Sequence, residues 1–354
     1  MKNNMLWLFI LVLGFSACTK LNDDEPSFPV DAQLGKGFFV INQGNFTSGN
    51  ASLSFFNEDS LKMTNNLFYR LNGSPLGDVA NSIAFWDDEA FLVVNNSAYI
   101  YVIDAKTGVF KRRIAELESP RFVQIIDQDK AYISDFQLKG LAVFNPRTME
   151  PLGIITTGKT TEAMVMIDEN VFVSNWSNYN QTTQNNTIQV IDIRFDRLVD
   201  SIVVAMEPNS MVVDKNRKIW VLCSGGFMNE EIPALFRIDP ATRSVERRFN
   251  FPTIESSPEQ LKINAAADRI YFVNKDIYAM EITDEQLPAN PVISANSHNF
   301  FALGLHPVNN TILVSDAGNY VQNGWVFRYH ADGILIDSIQ AGLIPGYFEF
   351  NYKK

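Results

Sequence analysis

The chain has 354 residues, with 40 acidic against 29 basic side chains and a formal net charge of −11. Such a surface repels phosphate backbones, so nucleic acid is not an expected partner. The 46% hydrophobic content suits a sizeable core, while two cysteines, Cys18 and Cys223, give no disulfide inside the folded part and leave Cys223 as a buried, inert thiol.

The first element is an address. MKNNMLWLFILVLGFSAC places Lys2 ahead of an apolar run, Leu6 to Phe15, that is too short to span a membrane. Phe15-Ser16-Ala17-Cys18 resembles a lipoprotein box, with Phe in place of the usual Leu at its first position, and makes Cys18 the expected lipidated residue. TKLNDDEPSFP follows, and its Asp23, Asp24 and Glu25 resemble the surface-export signal of Bacteroidetes lipoproteins. The expected division is a signal peptide over 1–17, a lipidated cysteine and acidic flexible tether over 18–35, and one folded domain over 36–354. No later stretch approaches spanning length. The expectation is a protein tied to the outer membrane by its lipid alone, facing the cell exterior.

From residue 37 onwards one pattern recurs seven times. The apolar runs GFFVIN, AFLVVN, KAYISD, NVFVSN, IWVLCS, RIYFVN and TILVSD end at Asn42, Asn95, Asp135, Asn175, Ser224, Asn274 and Asp316. Their spacings of 53, 40, 40, 49, 50 and 42 residues match the period of propeller blades. The second repeat reads most clearly: SIAFW, a DDE turn, AFLVVN, YIYVID, an AKTG turn, then VFKRRIAEL. Four short strands alternate with Gly, Asp, Asn and Pro turns, and nothing long carries a 3.6-residue apolar period. The sequence therefore predicts an all-β, seven-bladed β-propeller with four-stranded blades. The first repeat lacks a preceding innermost strand, and GYFEFNY at the end has no blade of its own. Tyr347 to Tyr352 is expected to close the first blade.

In this architecture the loops after each second strand share one face with the loops entering each innermost strand. The long insertions NQGNFTSGN, NWSNYNQTTQNNT, SGGFMNEEIP and DAGNYVQNGW all fall on that face, and binding residues concentrate on such loops. The second of these holds five Asn, two Gln, Trp176 and Tyr179 with no charge. It is expected at the mouth of a central funnel beside Phe46, Phe136, Phe227, Tyr320 and Trp325. Rigid amphipathic rings and adaptable amides suit a large neutral ligand rich in amides or hydroxyls. Asn45, Asn81, Arg121, Glu162, Asn209, Glu259 and His298, from loops on the same face, complete the candidate set.

Catalytic and metal-binding signals are weak. His298 is placed on the binding face and His306 and His330 on the opposite one, so the three histidines do not meet, and no Cys/His spacing resembles a zinc site. Glu162, Glu259 and Asp78 are the acids near the funnel. They keep open a carboxylate-based hydrolase or a calcium-assisted lactonase beside a plain binding role. Neither a protein cofactor nor a metal is expected.

YIYVIDAKTGVFKRRI, TIQVIDIRFDRLVDSI and LFRIDPATRSVERRF resemble the YncE-like propellers, whose blades read V-x-V-I-D-x-x-T-G-x-V-x-x-x-I. With the lipobox, the acidic tether and GKGFFVINQGNFTSGNASLSFFN, the chain looks like Bacteroidetes surface lipoproteins of the propeller type. Some of these capture cobalamin outside the cell and pass it to a TonB-dependent outer-membrane transporter. The resemblance implies a non-enzymatic protein with a corrinoid as bound ligand on the loop-rich face, not as a cofactor. A glycan or other nutrient at that face, a propeller lactonase or lyase, and a protein-docking scaffold stand as alternatives.

Overall fold

The computed structural model describes residues 33–177 and 185–352; the export signal, Cys18, the acidic cluster of the tether and Tyr179 lie outside the described residues. Seven antiparallel sheets follow one another along the chain, six of four strands and one of three. The innermost strands of successive blades touch all the way round, from Ala80–Trp86 of blade two to Pro345–Phe350 of blade one. This is a seven-bladed β-propeller. Blade two runs outward from the axis as Ala80–Trp86, Glu89–Val94, Tyr99–Asp104 and Phe110–Ile114.

The repeated apolar runs are the second strands. Gly37–Asn42, Ala131–Asp135, Ile219–Cys223 and Ile312–Asp316 are buried along their whole length, because neighbouring blades cover both faces. Outer strands such as Ser244–Asn250 carry charge and are exposed over most of their length, which blunts their free edges. The polar residue that ends each run is a staple between loops. Asn95 Nδ2 donates to Ser119 Oγ and the Pro120 carbonyl, Asp135 accepts from the Ser119 amide, and Asn175 Nδ2 reaches the Thr160 carbonyl. Asp104, Asn145 and Asp239 fold the turns on the opposite face, each accepting two backbone N–H bonds.

Ring closure follows the sequence expectation. Pro345–Phe350 pairs antiparallel with Gly37–Asn42, Val40 facing Phe348 and Phe38 facing Phe350. Phe348 is buried and edge-on to Phe38, and a Cβ on Gly304 would lie 2.9 Å from the Phe348 Cβ, so blade seven needs glycine there. The Gly342 amide donates to Asn42 Oδ1, and Ser315 Oγ donates to the Pro345 carbonyl. On the far face, Tyr352 meets both His306 and Glu58.

Three details depart from the sequence reading. Blade six keeps only Glu259–Ile263, Arg269–Asn274 and Asp276–Glu281, its outer position reduced to a bridge between Ile277 and Ile293. A six-residue helix, Leu67–Asn72, occupies the connection from blade one to blade two. Leu34, in the stretch read as tether, is buried, with its amide bonded to the Lys106 carbonyl.

Candidate functional site

The site begins with the backbone of the innermost strands. In blades two, three, five, six and seven the register slips by a residue near the strand start: Ala80/Ser82, Pro120/Val123, Pro208/Ser210, Glu259/Lys262 and Phe300/Leu303. A bulge of this kind re-aims side chains. Asn81, Arg121, Phe122, Asn209, Gln260 and Phe301, all at these bulges, line one cavity on the axis. Val79 and Glu207, just ahead of two of the bulges, and Gln260 within a third take positive φ (53°, 57° and 60°), the sort of strain that gathers at functional sites. Asn81 Nδ2 and Ser82 Oγ both donate to the Arg121 carbonyl. The same Asn-Ser pair in blade five sends Asn209 Nδ2 to the Pro258 carbonyl.

The cavity measures about 700 Å³ and is bounded on the loop-rich side by Phe136, Trp176, Phe227 and Asn229. Its floor is Phe122, Val123, Gln124, Lys262 and Tyr347. A second chamber of about 590 Å³ shares Phe122, Val123, Gln124 and Tyr347 and reaches Asp88 and Tyr352 on the opposite side. Phe122 and Tyr347, 6.1 Å apart between ring centroids, form the waist between the two.

One wall is a continuous aromatic shelf. Arg121 makes a two-pronged ion pair with Glu162 (2.8 and 2.9 Å) and lies 4.0 Å from the Phe136 ring centroid. Trp176 follows at 5.3 Å from Phe136, and Phe227 stacks on Trp176 at 5.8 Å. Burial raises the Glu162 carboxyl above its ordinary value, and Arg121 opposes the rise. Across the funnel Glu259 has no cation against it among the described residues, and burial alone pushes its carboxyl up to about 7. Burial likewise lowers the Lys262 ammonium, with Glu349 pulling the other way. The indole N–H of Trp176 is buried without an acceptor among the described residues.

Of the residues expected from sequence, Asn81, Arg121, Phe136, Glu162, Trp176, Asn209, Phe227 and Glu259 converge on this cavity. Tyr179 lies outside the described residues, and among the described ones the structure does not bring the other candidates there. Asn45 and Phe46 of blade one and Tyr320 of blade seven form a separate part of the rim, joined by Asn45 Nδ2 bonding the Tyr320 carbonyl. Trp325 is not in a loop but inside Asn323–Tyr329, opposite Asp316 and Gln340. His298 is bound into blade seven, with Nδ1 2.7 Å from Asp316 Oδ2 and its ring 4.6 Å from Phe327. Asp78 holds loops together through the Thr47 amide and Asn96.

The amide-rich loop is divided in role. Asn175, Ser177, Asn185 and Thr187 are buried and bonded to one another, to Thr160 and to Glu207, so much of its polar content anchors the loop ends. Among its described residues Trp176 alone lines the cavity. The sequence reading missed Phe122, Gln124, Gln260, Lys262, Phe301 and Tyr347, which stand on innermost strands and not in loops, and passed over Gln43 within the NQGNFTSGN loop. The available signal was proline: Pro120, Pro208, Pro258 and Pro345 each stand at or just before an innermost strand, where its missing N–H is tolerated.

The sequence matches, over residues 36–348, a family described as a domain of unknown function, DUF5074. The chain belongs to this DUF5074 family. No curated protein matches it. The DUF5074 propeller is similar to a solved quinonprotein alcohol dehydrogenase-like protein from Bacteroides thetaiotaomicron, at 16% identity and a TM-score of 0.71, over 91% of this chain and 80% of the other. It is also similar to the periplasmic gluconolactonase of Pseudomonas aeruginosa, at 11% identity and a TM-score of 0.65, over 89% and 99% of the two chains. Hydrazine synthase of Kuenenia stuttgartiensis matches at 13% identity and a TM-score of 0.56, over 73% and 85%. At these identities the likeness concerns the fold. Among the described residues no three His, Cys, Asp or Glu side chains gather as a metal-ligating group.

Proposed function

We propose that this protein is a non-enzymatic capture lipoprotein: lipidated at Cys18 and displayed outside the outer membrane, it binds cobalamin or a related corrinoid in the funnel and delivers it to a TonB-dependent transporter. The observation that carries the reading is the pairing of amides with an aromatic shelf in one wide cavity. Gln43, Asn81, Gln124, Asn209, Asn229 and Gln260 supply donors and acceptors, and Phe136, Trp176 and Phe227 supply flat apolar area. A corrinoid is broad, partly apolar and fringed with amides, and its match to such a surface needs no metal ligand from the protein.

The test uses Thr19 to Lys354 without the lipid, mixed with micromolar cyanocobalamin and passed through a desalting column. Red corrinoid travelling with the protein at near one-to-one supports capture, and Trp176→Ala should then abolish co-elution. A colourless protein peak refutes the corrinoid reading and makes a glycan panel the next screen.

A second reading, a propeller lactonase or lyase, is favoured by Glu259. Its carboxyl titrates near neutrality, where a general acid or base works best. The reading requires lactone turnover above the buffer rate that is lost in Glu259→Gln, and no turnover with a panel of sugar lactones refutes it.

A further inference from the structure

Glu259 and Lys262 sit on one innermost strand, three positions apart. In a regular strand such residues point to opposite faces. Here Glu259 stands opposite Val273 and Lys262 opposite Tyr271, so three steps on one strand meet two on the other. The extra residue, with Gln260 at φ 60°, returns both side chains to the channel, and both line the funnel. Two opposite charges on one face would ordinarily close on each other. Among the described residues neither takes part in an ion pair, whereas Arg121, the other cation of the funnel, is clamped by Glu162.

Lys262 is the deeper of the two. Its Nζ lies 4.9 Å from the centroid of the Tyr347 ring, at the waist that forms the floor. Glu349, beyond Tyr347, accepts a 3.2 Å hydrogen bond from the Tyr347 hydroxyl and is the carboxylate facing Lys262 from the closure strand. An ammonium partly withdrawn from water, as the half-buried Lys262 is, without a bonded counter-charge among the described residues is costly to keep. A ligand that fills the funnel with neutral groups alone would make that cost larger.

Resting on the funnel as the ligand site, we infer that its ligand carries one oxyanion, a phosphodiester or a carboxylate, which descends to the floor and is held by the Lys262 ammonium. Amide or hydroxyl donors of the same ligand meet Glu259 nearer the mouth. Lys262 is then the residue that separates ligands bearing the anion from otherwise similar ligands lacking it.

The experiment compares cyanocobalamin, which has a phosphodiester, with dicyanocobinamide, which lacks it, on the wild type, Lys262→Gln and Lys262→Arg. The expected result is a loss of about tenfold or more for cyanocobalamin in Lys262→Gln, the scale of one charge-assisted hydrogen bond. Dicyanocobinamide should change by less than about twofold, on the scale of small surface effects, and Lys262→Arg should restore most of the cyanocobalamin affinity. Equal losses for both corrinoids, or no loss for either, overturn the inference. If the wild type binds neither corrinoid, the capture reading fails, and inorganic phosphate decides the role of Lys262 separately. In protein with ¹³C-dimethylated lysines, the resonance missing from Lys262→Gln should move on titration with millimolar phosphate. A resonance that stays still overturns the oxyanion site.

Discussion

Replacing Glu259 by Gln should stabilise the protein at pH 8 and do so several-fold less at pH 5. The carboxyl titrates near 7 in the fold against an ordinary value of 4.5, with burial as the cause. The sign follows from linkage: a folded value above the unfolded one means stability that is present below pH 4.5 and lost as pH rises through 7. Above pH 7 the difference corresponds to at most about 3 kcal/mol, and solvent entering the open mouth screens the charge and brings it towards about 2 kcal/mol. Glutamine keeps the shape, cannot ionise, and breaks no ion pair among the described residues. Urea unfolding of both proteins at pH 5 and pH 8, with unchanged denaturant slopes, reads the difference directly. Burial also raises Glu162 and Glu207 and lowers His306, but these titrate alike in both proteins and cancel from the comparison. Equal differences at the two pH values, or a variant less stable at pH 8, would refute the argument and mean that the fold itself uses the Glu259 charge.

Ring closure gives a second expectation: Phe348→Ala should cost about 3–5 kcal/mol and lower the melting temperature by about 4–7 °C in one transition, while Phe46→Ala, 69% exposed, should leave it unchanged. Deleting Pro345 to Lys354 should abolish cooperative melting of the whole ring, and loss of signal from blade one alone would contradict that. Arg121→Met should destabilise by about 3–5 kcal/mol because it strands a buried Glu162, and adding Glu162→Gln should recover most of the loss in the same urea assay. Cys223, fully buried with its thiol raised well above the ordinary range, should react with a thiol reagent only as fast as the domain unfolds.

The legible parts of this fold were those built on long or repeated signals. Runs such as IWVLC are apolar throughout because both faces are covered, and their polar last residues recur because each blade needs the same staple. The closing strand was legible because GYFEFNY had no blade of its own. The helix Leu67–Asn72 was not, since six residues carry too little periodicity. Leu67 and Leu71 pack over Gly108, beside Leu34, and only the tertiary structure shows that. The missing outer strand of blade six was hidden for a similar reason: the segment TDEQLPANPV between Glu281 and Ile293 has turn residues, but turns also bound real strands. Register slips of one residue leave no trace in hydrophobic pattern. They decide whether Gln260 and Lys262 face the channel, so the prolines marked where these strands begin but only the strand pairing gave the direction of the floor side chains.

Polarity on the loop-rich face was a poor guide taken alone, and the reason is general. Buried polar groups in a folded chain are nearly all bonded, so their presence records the needs of the scaffold as often as those of a ligand. Asn42, Asp135, Asn175 and Asp316 stand on this face, and each is engaged with neighbouring loops or strands. His298 belongs with them, since its Nδ1 is at Asp316. The funnel gathers three polar groups around one space: the Trp176 N–H, buried without an acceptor among the described residues, and Glu259 and Lys262, which take part in no ion pair among them. A scaffold gains nothing by leaving a donor, a carboxyl and an ammonium without partners among the described residues around a single space, because each adds a desolvation cost that a bonded or apolar residue would avoid. A ligand presenting an acceptor, donors and an oxyanion in the matching places removes all three costs at once. Such a ligand should therefore raise the melting temperature of the wild type more than that of the Trp176→Ala, Glu259→Gln or Lys262→Gln variants.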